Sequence, residues 1–341
     1  MAKTSRLRLT RPQILAFRRS VQALDERLPN NASSLRRAAW AGLQDSMPRA
    51  AVLSLHARVR GTTPMAWEGP SLVQVWGPRY SAFVADARDA AIFTLGRLPD
   101  AGSTRRVAED LAERLAALLK DTRMIQGAAA RALGEPLQRL RYATLSGRIR
   151  IRWDGAKQPT MWIAPPPTIG SSEARVELAR RYLHFFGPGT SEAFAAWAGM
   201  KPRAAAATFD ECRASLTPAH TPIGDAWILA SDEPLARRAL DEATPAAARL
   251  LPSGDAFFLF QRPDERSLLV EKAADRARLW TSRVWPGALL IDGVIAGTWR
   301  RADAAVSIET WRRLSRAERD AVEVEVISLP IPGAHLTSLK S

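Results

Sequence analysis

The sequence predicts a helix-rich α+β protein, with tandem winged-helix modules followed by a small C-terminal β domain. Two observations predict it. Amphipathic helices followed by a pair of short β-like stretches recur three times at roughly equal spacing. From residue 233 onward the chain changes to short β-rich runs separated by turn signals.

The first unit is expected over residues 1–98. Thr10 suits the N-cap of a helix to about Leu24, with Pro12 near its start and Ile14, Phe17 and Val21 as its apolar stripe. Ser33 or Ser34 is expected to cap a second helix through Trp40 and Gly42. A third runs from Pro48 to Arg58, burying Val52, Leu55 and Val59, and stops at Gly61 and Pro64. The stretches Leu72–Trp76 and Tyr80–Val84 flank Gly77-Pro78 and read as the first wing.

The second unit, 99–168, repeats the order. Ser103–Lys120, Met124–Leu133 and Pro136–Thr144 read as helices, and Arg148–Trp153 and Thr160–Ala164 as a hairpin around Asp154-Gly155. In the third, 169–232, the helices are Glu173–Phe186, Ser191–Ala198 and Lys201–Ala214, with Thr190 or Ser191 capping the middle one. Leu216–Thr221 and Asp225–Ala230 form its wing. In the last unit, 233–341, β runs are expected at Asp255–Phe260, Leu268–Val270, Ala288–Ile291 and Val294–Arg300. Asp292-Gly293 signals a type I′ turn. Ser315 with Glu318 makes a capping box for one terminal helix.

Charge narrows the function. Residues 1–150 carry 25 Lys+Arg against 12 Asp+Glu, whereas the other 191 residues carry 24 against 23. Nearly all of the +14 net charge therefore sits on one half, the footprint of a polyanion binder. Arginines outnumber lysines 43 to six, and their planar fork matches phosphate oxygens. Double-stranded DNA is the expected partner. No apolar run reaches the roughly 18 residues that span a bilayer, so no membrane association is expected. Basic Met1–Thr10 lacks a following apolar segment, so no signal peptide is expected either. Cys212 stands alone, which rules out an intramolecular disulfide or a cysteine-rich zinc site. His56, His184, His220 and His335 are widely spaced, so no metal or cofactor is expected. A cytoplasmic protein without an obligate protein partner follows.

The segment Gly42-Leu43-Gln44-Asp45-Ser46-Met47-Pro48-Arg49-Ala50-Ala51, continuing through His56 to Gly61, resembles the signature of the AlkZ-like winged-helix proteins. Tyr182-Leu183, Phe186-Gly187-Pro188 and Trp197-Ala198-Gly199 are similar to that family's third winged helix. Arg249–Pro252, Leu290–Gly293 and Gly297–Arg300 resemble its C-terminal β domain. The resemblance covers nearly the whole chain. It implies DNA binding and, in some members, DNA glycosylase activity on alkylated purines. The family's catalytic motif is Gln-x-Gln, or Gln-x-Asp in a related branch. Gln44 matches the first position, but Ser46 stands at the second and Asp45 occupies the unused middle. Arg79 matches an arginine of the first wing, whereas a family histidine is replaced by Phe83.

An N7-alkylated purine carries positive charge, so its glycosidic bond is already weak. Catalysis then needs a positioned water and dipolar or negative groups near the sugar. Gln44, Asp45 and Ser46 are the candidate catalytic residues; equally, they could simply open the third helix. Arg49, Arg58, Arg60 and Arg79 are candidate phosphate contacts. Arg148, Arg150 and Arg152 alternate along a strand and so share one face, which suits a backbone grip. His56 reads as a half-exposed helix residue, and Trp76 and Trp153 lie near wings. The departures at Ser46 and Phe83 favour a winged-helix protein that grips duplex DNA without catalysis. The alternative is a glycosylase releasing cationic N7-alkyl purines through a water held at Gln44 with Asp45 or Ser46.

Overall fold

The computed structural model describes residues 7–47, 49–69, 71–155, 157–238 and 248–341. Pro48, expected to open the third helix, lies outside them. The elements in chain order are β1 (Leu7–Arg8), α1 (Arg11–Val21), α2 (Ala32–Ala38), β2 (Leu43–Gln44), α3 (Ala50–Arg58), β3 (Leu72–Trp76), β4 (Ala82–Asp86), α4 (Ala90–Thr94) and α5 (Ser103–Leu119). Then come β5 (Met124–Ile125), α6 (Gln126–Leu133), a 3-10 helix over Leu137–Ser146, β6 (Ile149–Arg152) and β7 (Thr160–Ile163). The third region holds α7 (Ser171–Phe186), α8 (Ser191–Ala198), α9 (Pro202–Cys212), β8 (Leu216–Thr221), β9 (Gly224–Leu229) and α10 (Glu233–Arg238). The last holds β10 (Ala248–Leu251), α11 (Pro263–Leu269), α12 (Ala273–Leu279), β11 (Gly287–Ile291), β12 (Val294–Ala302), β13 (Ala305–Thr310), α13 (Arg316–Ile327) and β14 (His335–Lys340).

Local signals set many of these boundaries. Thr10 and Gln13 close a capping box on α1, as Ser315 and Glu318 do on α13. Thr190 Oγ1 accepts from Ala193 N and starts α8. Asp292 and Gly293 both have positive φ, 47° and 80°, as a type I′ turn between β11 and β12 requires.

Other boundaries differ from the sequence reading. Asn31, not Ser33 or Ser34, caps α2, its Oδ1 accepting from Ser34 N at 2.9 Å. The run Leu268–Val270 is not a strand. Pro263 at the first turn, followed by Asp264 and Glu265, starts a helix there. Within 255–260 the chain instead makes a buried 3-10 turn, Ala256–Phe258, capped by Asp255, whose Oδ1 accepts from Phe257 N. The chain continues past α13 to β14, parallel to β13.

Three sheets organise the described residues, and two of them cross the expected unit boundaries. β3 pairs with β6 at Gln74 and Ile151, so the first two hairpins merge into one six-stranded sheet, β2-β4-β3-β6-β7-β5. β1 runs parallel to β8, and Leu7, Ile14, Phe17 and Val21 pack with Ala219 and Ile228. The chain's start thus serves the third unit, although the sequence reading grouped it with residues 32–98. The C-terminal sheet, β10-β11-β12-β13-β14, packs on α13 through Val322 and Val326. Between these layers lies an aromatic core in which Tyr182, Phe186, Phe194 and Trp197 touch one another.

Candidate functional site

The Gln44-Asp45-Ser46 motif sits where β2 ends and the chain turns into α3. β2 pairs antiparallel with β4, Gln44 opposite Phe83, and Asp45 N donates to Ala82 O at 2.7 Å. Gly42 makes this close approach possible. Its φ is +73°, and an added Cβ would stand 2.9 Å from the Phe83 ring. Strand alternation then separates the side chains, with Leu43 buried and Gln44 half-buried on the opposite face.

Asp45 turns into the protein and is only 3 % exposed. Its Oδ1 accepts from Ala51 N at 3.0 Å and its Oδ2 from Gln74 Nε2 at 2.8 Å. It caps α3, whose N-cap residue Arg49 offers no side-chain cap and lies in the left-handed region at φ 66°. Burial pushes its carboxyl up to about 7, opposed by the bonds from Ala51 and Gln74. Gln74 in turn accepts from Trp153 N at 2.6 Å and donates to Trp153 O at 3.2 Å, tying β6 to the motif.

Gln44 is held from two sides. Arg79 Nη2 donates to its Oε1 at 3.2 Å, and Arg79 Nη1 donates to Trp197 O. On the other side stands Gly254, at φ +76°, where a Cβ would come 3.2 Å from Gln44 Nε2. A carboxamide oxygen has two lone pairs, so the Arg79 bond leaves one for a water. Ser46 is half-buried and lines a cavity of about 510 Å³ shared with Trp76, Arg79, Tyr80, Arg141 and Trp153. On the other flank, Met47 and Ala50 border a smaller cavity of about 290 Å³ with Trp285 and Arg300. Asp45 therefore turns inward, whereas Gln44 meets Arg79 and Ser46 lines the cavity that Arg79 also lines.

The candidate cations fare differently. Arg58 is fully buried and clamped by Asp255, with Nη1 to Oδ2 at 2.7 Å and Nη2 to Oδ1 at 2.8 Å. That corrects its assignment as a phosphate contact, because a side chain sealed in an ion pair offers no atom to DNA. His56 is buried, not half-exposed. It lies 3.0 Å from Arg27 Nη2 and 3.2 Å from Ser328 Oγ, and burial lowers it to about 3. Arg49 is exposed, and Arg60 is exposed with an ion pair to Glu26. Along β6, Ile149 and Ile151 point inward and the arginines outward, as alternation requires. Arg150 folds back to donate to Gly147 O and Ile149 O, and Arg152 pairs with Glu68 and lies 4.0 Å over Trp67. Arg148 is half-buried. Phe83, in place of the family histidine, is a core residue under Gly42 and Gly77.

Sequence reasoning missed Gln74, Arg97, Arg141 and Gly254. Arg97 donates to Ala198 O and Gly77 O, and its guanidinium stands 4.5 Å over Tyr80. No local pattern marks these residues, since each acts across a long stretch of chain. Among the described residues no cluster of His, Cys, Asp or Glu could hold a metal, and no helix is long and apolar enough to cross a membrane.

Comparison with known proteins agrees with this architecture. The family described as DNA glycosylase AlkZ-like matches residues 37–329. The solved structure of Streptomyces sahachiroi DNA glycosylase AlkZ superposes with a TM-score of 0.75, covering 98% of this chain and 100% of that one at 17% identity. At that identity the likeness is one of fold. No curated protein sequence matches the chain.

Proposed function

The chain belongs to the AlkZ-like DNA glycosylase family, and from that premise we propose that it is a DNA-repair glycosylase that releases cationic, N7-alkylated purines from duplex DNA. The observation that carries this reading is the fixed carboxamide of Gln44. Arg79 and Gly254 hold it, Arg79 also lines the Ser46 cavity, and among the described residues one acceptor lone pair of Gln44 Oε1 is unused. The three helix-plus-hairpin units act as tandem winged helices around the duplex, in a cytoplasmic protein.

The chemistry suits a weak base catalyst. The leaving base is already positively charged, so no acid has to protonate it. What remains is to hold a water whose oxygen bonds C1′ as the C1′–N9 bond breaks; the base leaves neutral, and the water's proton passes to solvent because a carboxamide takes none. Gln44 Oε1 accepts a hydrogen bond from that water, and Ser46 Oγ supplies a second bond to orient it. Asp45 is assigned a supporting role, because both of its oxygens are engaged and its side chain faces away from the cavity. It keeps Ser46 and the start of α3 in place. Extruding a base costs a few kcal/mol, which the basic N-terminal half offsets through phosphate contacts.

Base release from N7-methylated duplex tests the reading, wild type beside Gln44→Ala. Wild type should release base, and the variant should be slower by about 10²-fold or more. A wild-type chain that binds duplex but releases nothing would return the protein to the reading of a non-catalytic DNA binder.

A further inference from the structure

Several buried arginines elsewhere face carboxylates, although Arg18 and Arg150 donate to backbone carbonyls. Arg58 meets Asp255, Arg27 meets Glu325, Arg181 meets Asp89, and Arg18 lies in the field of Glu265. The cavity beside Ser46 departs from that pattern. Arg79 and Arg141 line it, and Arg97 stands behind Tyr80 in its wall. Their hydrogen-bond partners are neutral: carbonyl oxygens of Trp197, Ala198, Gly77 and Tyr80, and the amide of Gln44. The Arg141 contact to Tyr80 O is long, at 3.4 Å, and its Nε is sealed from solvent with no partner among the described residues. Burial brings the guanidinium groups of Arg79 and Arg97 down to about 10 and lowers Arg141 as well, with no carboxylate acting against it. Among the described residues no Asp or Glu lines the cavity, and Lys157 stands exposed beside it.

Desolvated charge without a counter-charge is costly, and an anion entering from solvent relieves that cost. The volume, about 510 Å³, exceeds what a bare oxyanion needs, and Tyr80 and Trp153 offer flat surfaces beside the cations. We infer that this cavity receives the phosphate and sugar of one unmodified nucleotide of a DNA strand, the phosphate lying on Arg141 and Arg79. It is closed to a positively charged base. The inference rests on the DNA reading above and divides the labour within it: the cavity seats the backbone beside the lesion, while the alkylated base leaves elsewhere.

The test titrates the full chain at low salt with thymidine 5′-monophosphate, with thymidine, and with 7-methylguanosine, whose base is cationic. The monophosphate should bind at least about tenfold more tightly than either nucleoside, and Arg141→Gln should abolish that preference. A duplex oligonucleotide should displace the monophosphate, and Arg141→Gln should flatten the salt slope of duplex binding by about one unit. Arg141→Lys, which keeps the charge, should retain part of the preference and so separates loss of charge from loss of folding. Equal binding of thymidine, tighter binding of 7-methylguanosine, or an Arg141→Gln chain indistinguishable from wild type would overturn the assignment. Monophosphate that duplex cannot displace would overturn the DNA source, leaving a free-nucleotide site. A chain that binds monophosphate as described yet releases no base supports this pocket and overturns the glycosylase reading alone.

Discussion

Replacing Arg58 by methionine separates a core clamp from a phosphate contact. Arg58 Nη1 donates to Ser54 O at 2.9 Å and to Asp255 Oδ2 at 2.7 Å, while Nη2 donates to Gln22 Oε1 and Asp255 Oδ1, each at 2.8 Å. Both partners of the ion pair are fully buried. Methionine leaves Asp255 with the Ser54 hydroxyl and Phe257 N as its donors among the described residues, and no cation among them then opposes its charge. Breaking such a pair costs about 3–5 kcal/mol, a large part of a typical stability of about 5–15 kcal/mol. At about 2.1 cal/mol/K per residue, unfolding entropy for this chain is near 0.7 kcal/mol/K, so Tm should fall by about 4–7 °C. Removing the second charge too, as Arg58→Met with Asp255→Leu, should recover at least half of the loss, because no unpaired charge then remains. Thermal unfolding followed by circular dichroism reads these shifts, and duplex titrations at several salt concentrations read DNA contact. The salt slope should not change in Arg58→Met below its melting range. The reasoning fails if Arg58→Met melts within about 1 °C of wild type, or if its salt slope drops by the unit that one lost phosphate contact predicts.

Other expectations follow from the same geometry. The Asp45 carboxyl lies near 7 in the folded chain against about 3.9 unfolded, so between these values the folded state holds the extra proton. Stability should therefore fall as pH rises from about 4 to 7 and level off above, a slope that Asp45→Asn removes. The difference between the two proteins isolates it from His56, whose lowered value acts in the opposite sense. Ser46→Gln should raise base release by supplying a stronger acceptor for the water; unchanged or lower release would refute Ser46's place beside it. Changing Arg148, Arg150 and Arg152 together to alanine should flatten the salt slope by fewer than about three units, since Arg152 is already paired with Glu68 and Arg150 with backbone oxygens. A drop of three full units would show that DNA breaks those contacts. Gly254→Ala should slow base release with little change in DNA affinity, because a Cβ at φ +76° crowds the Gln44 amide; an equal loss of both would point to general unfolding.

What the sequence determined by itself is local. The capping boxes at Thr10 and Ser315, the Thr190 cap, the Asp292-Gly293 turn and the in-out alternation of β6 each depend on residues within a few positions of one another. Backbone sterics and short hydrogen bonds decide such features before any packing forms. The motif Gln44-Asp45-Ser46 and its family were legible for the same reason, as a short ordered string. The tertiary structure decided which charges were available and where the motif's side chains went. Composition counts Arg58 as one cation among 49, yet its partner Asp255 lies 197 residues away. Arg79 reaches Gln44 across 35 residues, and β1, from the first expected unit, joins β8 of the third. A charge becomes a DNA contact, a core clamp or the wall of an anion pocket according to the carboxylates and solvent around it, and long-range packing alone puts those neighbours in place.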